Sequence, residues 1–470
     1  MTATSPRSTN TNRDYRTYSY WLETAGDLTP RPRLDGSTTA DVAILGAGFT
    51  GLWTAYALLE REPSLRVVVL ESDIAGFGAS GRNGGWCYPG FPVTPSMLRD
   101  RFGLAAAKAQ AKAMHGAVDD VARVVVAEGI DCGFLMSGTL RLARGTHQIA
   151  AIEGSYRAAE AMGMAEGYQV LSAEEVAQRV RVTNALAGIY HPHGAVVHPG
   201  RLVRGLARAV EGKGGIIHEQ TPVSAYHPGR DPRFDTPYGT VRAKTLVLAG
   251  EAYLTRLEAM KRALIPVYSL IVLTEPIPDD RWVEIGWAGR ELLSSSRFTV
   301  DYLQRTEDGR ILFGGRGAPY RMGSKITDEM DRHDPTHAKL REMVLEWFPA
   351  LRGIGFSHAW GGPLGMPRDW MPTTSFDAAN GIAGAWGYTG SGVSTANLSG
   401  RVLADLITGR ATELTELPTV NHRSKAWEPE PLRWLGIRYV QEGFSRIDAE
   451  AERTGQAPSG RSLVERLGQH

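Results

Sequence analysis

The sequence is poor in cysteine, in net charge and in long apolar runs. It has only two cysteines, Cys87 and Cys132, which excludes a disulfide framework or a cysteine-rich metal cluster and fits a reducing compartment. Its 52 basic and 51 acidic residues leave a net charge of +1, so nothing indicates a nucleic-acid partner. No run approaches the roughly 20 apolar residues that span a bilayer. The first residues are polar and lack the apolar region of a secretory signal, so we expect a cytoplasmic protein without a membrane span.

What is present is typical of a globular protein of more than one domain. Hydrophobic residues make up 42% of the chain and charged residues 22%, as in soluble globular proteins. A length of 470 residues exceeds what one hydrophobic core usually supports. We therefore expect two closely joined domains.

The first strong pattern, within residues 38–72, is a strand, a helix and a second strand. Residues 41–45 form a short apolar run that ends at a glycine, as in a buried parallel strand. Residues 50–61 carry apolar side chains at helical spacing, and Pro63 ends the helix because the residue before a proline avoids helical geometry. Residues 66–70 (RVVVL) predict the second strand. The pattern indicates a βαβ unit with a right-handed crossover.

The glycines at the start of this helix indicate a dinucleotide site. Gly46 permits a tight turn, Gly48 lets the backbone approach a pyrophosphate, and Gly51 lets the helix pack closely on the sheet. The pyrophosphate would lie over the helix N-terminus, where free N–H groups favour negative charge. Glu71, at the end of the second strand, is placed to bind the adenosine ribose. An acidic residue there argues against a 2′-phosphate, which leaves FAD or NAD.

A second glycine-rich segment, residues 76–85 (GFGASGRNGG), distinguishes these two cofactors. Five glycines in ten residues cannot form a core element, because each glycine loses more backbone entropy on ordering than other residues do. The segment makes sense if the backbone must approach a flat ligand, which an NAD enzyme would not need here. A flexible surface loop is the alternative. The composition favours FAD.

The rest of the chain alternates between segments of two kinds. Residues 264–362 contain short apolar runs separated by turns, including EDGR at 307–310, which predicts an antiparallel sheet with a hairpin. Other segments suit a nucleotide-binding sheet: a helix at 199–212, strands at 216–217, 241 and 246–248, and a strand from Asn380 that leads through TGSGV into a helix at 394–408. The order predicts a nucleotide domain made of separated segments and interrupted by a β-rich substrate domain.

Four segments between about residues 38 and 410 resemble the D-amino-acid oxidase and glycine oxidase (DAO) superfamily of flavoproteins, and within it the γ-glutamylputrescine oxidoreductase-like branch. They are DVAILGAGFTGLWTAYAL…VVVLES, GFGASGRNGG, LVLAGEAY and WGYTGSGVSTANLSGRVLADLITG. The resemblance implies an FAD-dependent enzyme that oxidises an amine or amino acid. It implies an α/β plus α+β fold of the glutathione-reductase-2 type, with a Rossmann-type FAD-binding domain built from discontinuous segments and an antiparallel-sheet substrate domain.

This fold gives the expected division of the chain. We assign a polar N-terminal arm to 1–35, the FAD-binding domain to 36–117, 186–262 and 363–412, the substrate-binding domain to 118–185 and 263–362, and a C-terminal helical tail to 413–470.

Position within the motifs implies which residues contact FAD. Glu71 would hold the ribose, Val223 would meet the adenine through its backbone, and residues 387–393 would face the pyrimidine edge of the flavin. The implied set is Gly46, Gly48, Phe49, Thr50, Gly51, Glu71, Ser72, Gly78, Ala79, Ser80, Arg82, Asn83, Gly84, Gly85, Trp86, Val223, Gly250, Gly387, Tyr388, Thr389, Gly390, Ser391, Gly392 and Val393.

The same motifs bear on how FAD is attached. Family members with covalent flavin carry a histidine after the second motif or a cysteine before the last one. Here Trp86 follows Gly85, and the segment HAWGGPLGMPRDWMP has no cysteine. We therefore expect non-covalent FAD, with a linkage to Cys87 as the alternative.

Several side chains are candidates for the substrate site. Arg316 could clamp a carboxylate or phosphonate, since guanidinium matches such anions bidentately; a salt bridge at the surface or facing FAD is the alternative. An aromatic pocket would favour the neutral amine, and we prefer Trp86, Tyr253 and Trp360 among the aromatics in suitable segments. The full group is Trp86, Tyr253, Tyr268, Tyr302, Tyr320, Trp360, Trp386 and Tyr388.

No certain catalytic residue is named, because hydride transfer to a flavin needs no acid–base pair. We expect His198 to cap a helix and Glu251 to have a capping or surface role. Three alternatives to an oxidase remain: an amine dehydrogenase that uses another electron acceptor, an NAD(P)H-dependent flavin monooxygenase, and a flavin-binding module without catalysis. The substrate, the electron acceptor and the oligomeric state stay open.

Overall fold

The computed structural model describes residues 13–468. Its strands are Thr38–Leu45 (β1), Val67–Leu70 (β2), Trp86–Cys87 (β3), Leu135–Met136 (β4), Thr139–Arg144 (β5), Gln169–Ser172 (β6), Ala185–His191 (β7), Ala195–Val196 (β8), Ile216–His218 (β9), Ala225–His227 (β10), Arg233–Thr236 (β11), Gly239–Leu248 (β12), Ile265–Thr274 (β13), Leu292–Ser295 (β14), Asp301–Arg305 (β15), Ile311–Arg316 (β16), Phe356–Met366 (β17), Thr373–Asp377 (β18) and Ile382–Trp386 (β19). Its helices are Tyr20–Glu23 (α1), Phe49–Arg61 (α2), Pro95–Phe102 (α3), Leu104–Ala127 (α4), Ile149–Ala161 (α5), Ala173–Arg179 (α6), Pro199–Gly212 (α7), Asp279–Ile285 (α8), Asp328–Asp331 (α9), Asp334–Trp347 (α10), Gly392–Ile407 (α11), Leu432–Thr454 (α12) and Leu463–Gly468 (α13).

The first large sheet is built around β1. This strand pairs in parallel with β12 on one side and with β2 on the other, and β9 and β19 extend the parallel part. The predicted strand–helix–strand unit is therefore confirmed as β1, α2 and β2. Because β1 and β2 are parallel, their carboxyl ends meet at one edge of the sheet, where both Gly46 and Glu71 lie.

The second large sheet has the strand order β17-β13-β16-β15-β14-β5-β7-β6 and is antiparallel except for the β14–β5 pair. The expected EDGR hairpin is confirmed, since residues 307–310 join the antiparallel strands β15 and β16. One face of this sheet packs against α10 through a hydrophobic cluster that contains Leu270, Phe313 and Trp347. The opposite face, which carries Tyr302, turns towards the first sheet.

The described part of the N-terminal arm joins the two sheets. Its composition is polar, yet Tyr20, Trp21 and Leu22 are buried. The Trp21 Nε1 donates a hydrogen bond to the Asn83 carbonyl at 2.8 Å, and the Trp21 ring meets Trp360 edge-on at 6.4 Å. Aromatic side chains from the arm thus cover one end of the inward face of the second sheet.

The C-terminal tail is also anchored. The Asp448 carboxylate of α12 accepts the backbone N–H groups of Phe298 and Thr299, each at 2.9 Å. None of the helices within residues 13–468 is both long and apolar enough to cross a membrane.

Candidate active site

A deep cleft of about 1590 Å³ lies between the two sheets. The carboxyl ends of β1 and β2 and the first turns of α2 and α11 form one wall, which we call the cofactor wall. Side chains from β5, β15 and β16, together with Trp86 and Tyr88, form the opposite wall, which we call the substrate wall.

The start of α2 gives the cofactor wall its centre. Gly46 has a φ of +103°, and a Cβ built on it would lie 2.7 Å from the Ala249 carbonyl oxygen. A Cβ on Gly51 would lie 1.9 Å from the Gly46 carbonyl oxygen, so the helix can approach the turn only at a glycine. No side chain caps the helix at Gly48, and the first N–H groups of a helix have no partner within it. This cradle suits an anionic group.

Glu71 follows β2 beside this cradle and lines the cleft. Its carboxylate accepts the backbone N–H of Ala47 at 2.8 Å and of Asp73 at 3.0 Å. Burial raises the pKa of Glu71 to about 7, against the lowering effect of these two donors. The two backbone donors thus fix the carboxylate at the edge of the cleft.

The second glycine-rich segment packs between the two walls. Ser80 Oγ accepts the Phe49 N–H at 2.8 Å, which ties this segment to the start of α2. A Cβ on Gly84 would lie 2.5 Å from the Tyr302 ring. Arg82 is buried, with its Nη1 donating to Asp331 at 2.7 Å, while its Nη2 has no partner among the described residues. That orphaned donor belongs to a residue that lines the cleft.

A buried carboxylate holds the turn before α11. The Glu251 side chain accepts the N–H groups of Gly387 at 3.1 Å, Tyr388 at 3.0 Å and Gly365 at 2.7 Å. Burial raises the pKa of Glu251 to about 7, and the backbone donors pull it down. The expected capping role is confirmed in this sense, whereas a surface position is wrong because the carboxyl group is enclosed. α11 then begins at Ser391 without a side-chain cap, so its N-terminus opens into the cleft.

The substrate wall is aromatic and carries one guanidinium near this turn. The ring of Trp86 contacts Tyr88 at 5.3 Å and Tyr302 at 6.2 Å between centroids, both edge-on. Arg316 donates to the Thr389 carbonyl at 2.7 Å, and burial lowers the pKa of its guanidinium. The groups that act on this charge are the phenols of Tyr88 and Tyr302 rather than a carboxylate.

The structure brings most of the predicted residues to the cleft. Those of the predicted set that line it are Gly46, Gly48, Phe49, Thr50, Glu71, Ser72, Gly78, Ala79, Ser80, Arg82, Asn83, Gly84, Trp86, Val223, Gly250, Tyr253, Arg316, Tyr388, Thr389, Gly390, Ser391, Gly392 and Val393.

Four predicted residues lie behind the lining. Gly51 packs on the Gly46 carbonyl, and Gly387 packs on Pro367, which a Cβ would approach to 2.8 Å. A Cβ on Gly85 would lie 2.4 Å from the Val197 carbonyl oxygen. Trp360 shares the inward face of the second sheet but is covered by Trp21, and its Nε1 donates to the Arg82 carbonyl at 2.9 Å. These residues support the lining instead of forming it.

Tyr88 and Arg141 are among the cleft residues that the sequence prediction missed. Tyr88 follows Trp86 with strand alternation, Cys87 pointing the other way into the core, and this alternation was a usable signal. Arg141 lies on β5, in a segment that carries no motif. Its position in the cleft results from strand register, which a single sequence does not show.

The structure also places His198 and the two cysteines. His198 is the N-cap of α7, and its Nδ1 accepts the Arg201 N–H at 3.1 Å, so the capping role is confirmed. Cys87 and Cys132 are buried in the core of the first sheet, and neither lines the cleft in the part of the chain that the structure describes. Burial raises the pKa of the Cys87 thiol, with Cys132 adding to the effect.

Comparisons with known proteins agree with this geometry. The DAO family model, described as FAD dependent oxidoreductase, matches residues 41–406. The chain is 28% identical to γ-glutamylputrescine oxidoreductase of Escherichia coli K12, over 86% of this chain and 92% of that protein. It is 32% identical to "Probable oxidoreductase OrdL" of Rhizobium meliloti, over 84% and 90%. Among solved structures, glycine oxidase from Geobacillus kaustophilus superposes with a TM-score of 0.66 at 21% identity, covering 82% of this chain and 99% of that one.

Proposed function

The chain belongs to the DAO family of FAD-dependent oxidoreductases, and from that premise we propose that it oxidises a small amine or amino acid at its C–N bond. When bound, FAD would accept the hydride that leaves the substrate carbon as the nitrogen loses a proton, with dioxygen as the proposed final acceptor and hydrogen peroxide as its product. The imine then reacts with water, which releases an aldehyde or keto acid and the freed amine or ammonia.

The residues present fit FAD. The positive end of α2 lies over a cradle that a side chain at Gly46 or Gly51 would fill, and Ser80 Oγ accepts the first N–H of the helix, that of Phe49. Glu71 offers a fixed carboxylate beside this cradle, and Arg82 has a buried donor without a partner among the described residues. These are the groups that the ribose and the pyrophosphate of a dinucleotide require. Residues 387–393 and the start of α11 would hold the flavin end.

One observation carries the proposal: the first turns of α2 and α11 open into the same cleft as an aromatic wall with a buried arginine. Each helix start carries a partial positive charge of roughly half an elementary unit. That charge favours the anionic pyrophosphate at α2 and added negative charge at α11. Two such helix ends on one cavity suit a long cofactor that carries a pyrophosphate at one end and gains negative charge at the other.

The substrate wall prepares the amine. A free alkylamine has a pKa near that of lysine, about 10.4, so producing the neutral form at pH 7.4 costs about 4 kcal/mol. Trp86, Tyr88 and Tyr302 remove water around the nitrogen, and the Arg316 charge disfavours a second positive charge nearby. Both effects lower the amine pKa. Burial raises the pKa of Tyr302 to about 12, so its phenol stays protonated and its hydroxyl meets Ser269 Oγ at 2.8 Å.

The test is an anaerobic screen of the FAD-loaded enzyme. Polyamines, N-methyl amines, D- and L-amino acids and aminophosphonates are mixed with it, and the loss of the visible flavin absorbance is followed. We expect at least one class to bleach the flavin in a single turnover and to yield an aldehyde or keto acid. If dithionite bleaches the flavin but every amine leaves it yellow, the proposal is wrong.

Two further measurements separate the electron acceptors and the competing reaction. Readmission of air should restore the colour and produce hydrogen peroxide; colour that returns only with a quinone or dye indicates a dehydrogenase. Bleaching by NADPH without any amine would indicate a monooxygenase. These results decide between the electron acceptors and between the reaction classes, and they do not bear on whether FAD binds in the cleft.

A further inference from the structure

The cleft extends beyond Arg316 to a second half-buried arginine, Arg141 on β5. Arg141 Nη2 donates to Ser155 Oγ on α5. Its Nε is buried and has no hydrogen-bond partner among the described residues. Burial lowers the pKa of this guanidinium, and the groups that act on its charge are the phenols of Tyr168 and Tyr88. Arg141 is thus a half-buried cation on the cleft, with a buried Nε and without an ion pair to a carboxylate among the described residues.

Buried arginines elsewhere in the chain form ion pairs with carboxylates. An unpaired buried charge costs several kcal/mol, and proteins normally supply a carboxylate beside it. Three examples in this structure follow that rule: Arg82 with Asp331 at 2.7 Å, Arg144 with Glu346 at 3.1 Å and Arg204 with Glu219 at 2.8 Å. Asp301, the carboxylate that lines this part of the cleft, instead accepts the N–H and the hydroxyl of Ser295, each at 2.6 Å. No carboxylate among the described residues pairs with Arg141, so an acidic ligand would supply the anion that this charge lacks.

Strand register shows how Arg141 and Arg316 are related. Arg141 lies beside Ser294, and Tyr302 lies beside Gly314. Because Leu293 lies opposite Leu303, these four residues form one row across the sheet and share its inward face. Arg316 is two residues beyond Gly314 on the same face. Three strand spacings and two residues place the Cα atoms of the two arginines about 16 Å apart.

The two guanidiniums are held in different directions. The Thr389 carbonyl on the turn before α11 fixes Arg316, and the Ser155 hydroxyl on α5 fixes Arg141. Tyr88, which also lines the cleft, adds to the charge environment of both arginines. Each arginine therefore serves its own part of the cleft, with the aromatic residues of the substrate wall between them.

Helix α5 leaves room for a chain beside Arg141. The residues of α5 that line the cleft recur at the spacing of one helix face, and all of them are small: Ala151, Gly154, Ser155, Ala158 and Ala159. A Cβ built on Gly154 would meet no atom within 4 Å. On the other side, Tyr168 packs against His191 with ring centroids 4.5 Å apart. The small residues of α5 and the Tyr168 ring thus leave an open passage beside Arg141.

We propose that the substrate is an amine with an acidic tail, and that Arg141 binds the carboxylate or phosphonate of this tail far from the reacting carbon. The inference rests on the proposed function, because the reacting end of the amine is placed beside Arg316 and the aromatic wall. Arg141 is then a specificity-determining residue. It sets which amines are accepted and does not take part in the oxidation.

The test measures binding without turnover. Unbranched dicarboxylates of increasing length, and the monocarboxylate matching each one, are titrated into the oxidised FAD-loaded enzyme by calorimetry. We expect dicarboxylates of one length to bind about 10- to 100-fold more tightly than their monocarboxylates, since a hydrogen bond to a charged group contributes about 1.5–3 kcal/mol. Arg141→Met should remove this advantage and leave monocarboxylate binding within about twofold.

A matched control removes the same charge from nearby. Arg157→Met on α5 replaces an exposed arginine that pairs only with Glu153 in the same helix, at 3.2 Å, and does not line the cleft. It should leave the length preference intact. Loss of an unpaired buried charge should also leave the melting temperature of the ligand-free Arg141→Met enzyme unchanged or higher, so misfolding would be recognised by a lower melting temperature and lost FAD. A Gly154→Leu variant, which narrows the passage, then serves as the second probe and should weaken only the long dicarboxylates.

The results separate this inference from the proposed function. If dicarboxylates bind no better than monocarboxylates, or if the length preference survives in Arg141→Met, the distal site is wrong even where amines are oxidised. If the preference exists and disappears in Arg141→Met, the site stands even where no amine in the screen bleaches the flavin. Turnover of ω-amino carboxylates against equally long alkylamines then checks the substrate class, with a KM effect of Arg141→Met expected and an unchanged kcat.

Discussion

The cofactor wall and the substrate wall of the cleft differ in which atoms they offer to a ligand. The cofactor wall works mainly through backbone: N–H groups at the starts of α2 and α11, and glycines where a Cβ would collide with the chain itself. The substrate wall works through side chains, chiefly Trp86, Tyr302 and Arg316. One wall depends on side chains being absent, the other on particular side chains being present.

This difference explains how the two walls could vary independently. A pyrophosphate requires N–H groups at a fixed geometry, which any strand–turn–helix with the right glycines supplies. The inward face of an antiparallel sheet imposes no such demand, because every second residue of each strand can be exchanged without moving the backbone. We therefore expect exchanges at positions such as Arg141 to change which ligands bind while FAD binding is kept, whereas Arg316 also donates to the Thr389 carbonyl of the turn before α11.

The largest expected effect comes from one added methyl group on the cofactor wall. In Gly51→Ala the new Cβ would lie 1.9 Å from the Gly46 carbonyl oxygen, so α2 must move away from the turn that cradles the phosphates. Overpacking of this kind costs about 3 kcal/mol, which corresponds to about 100-fold weaker FAD binding. Fluorescence titration of the apoprotein with FAD measures this loss.

The matched control is Gly116→Ala on α4. Gly116 is also a helical glycine, and a Cβ on it would meet nothing within 4 Å. FAD affinity should stay within about twofold, and the helix should gain up to about 1 kcal/mol because alanine favours helices over glycine. Equal FAD affinity in the Gly51→Ala and Gly116→Ala variants would contradict the view that the cofactor wall depends on missing side chains.

The same difference decides how much the sequence could predict. Gly46, Gly48, Gly51 and Glu71 stand within one short stretch, so the βαβ unit and its cradle are visible as a local motif. Helix α7 also agrees with its predicted bounds, Pro199–Gly212, because a strong amphipathic pattern decides it. The cofactor wall could therefore be predicted from patterns that each lie within one short stretch of sequence.

The substrate wall could not be predicted in this way. Arg141 comes to the cleft because β5 pairs with β14, whose residues follow some 150 positions later in the chain. No local pattern records that pairing. Trp360 shows the converse: it lies in the segment predicted to form the antiparallel sheet, but the N-terminal Trp21 covers it. Contacts between remote segments are equally invisible in a single sequence.

An intermediate effect is expected at Glu251, where a side chain holds backbone of the cofactor wall. Its folded pKa of about 7 lies above the ordinary value of 4.5. The stability this group contributes is therefore full below about pH 4.5 and is lost as the pH rises through about 7. Glu251→Gln stays neutral, so the fall in the apoprotein's free energy of unfolding over this range should shrink by about 3 kcal/mol.

Urea denaturation of the apoprotein at several pH values measures that slope. The exposed carboxylate of Glu284, on α8 far from the turn, provides the control substitution Glu284→Gln, which should leave the slope as it is. A pH slope that is equally steep with and without Glu251 would show that the carboxylate is ionised throughout. The turn before α11 would then be held by a charged side chain at every pH, and the cofactor wall would depend on a side chain as well as on backbone N–H groups.

The smallest expected effect tests whether the cofactor wall uses any covalent bond. Cys87 ends β3 and stands between Trp86 and Tyr88, which both line the cleft, whereas Cys87 belongs to the hydrophobic cluster that also contains Cys132 and Val118. Cys87→Ala should bind FAD as the wild type does and lose only about 1 kcal/mol of stability, the usual effect of a small cavity. Acid precipitation should release all the flavin from both proteins into the supernatant. Flavin that stays with the precipitated wild-type chain but leaves the variant would identify Cys87 as a linkage, and the cofactor wall would then depend on a particular side chain, as the substrate wall does.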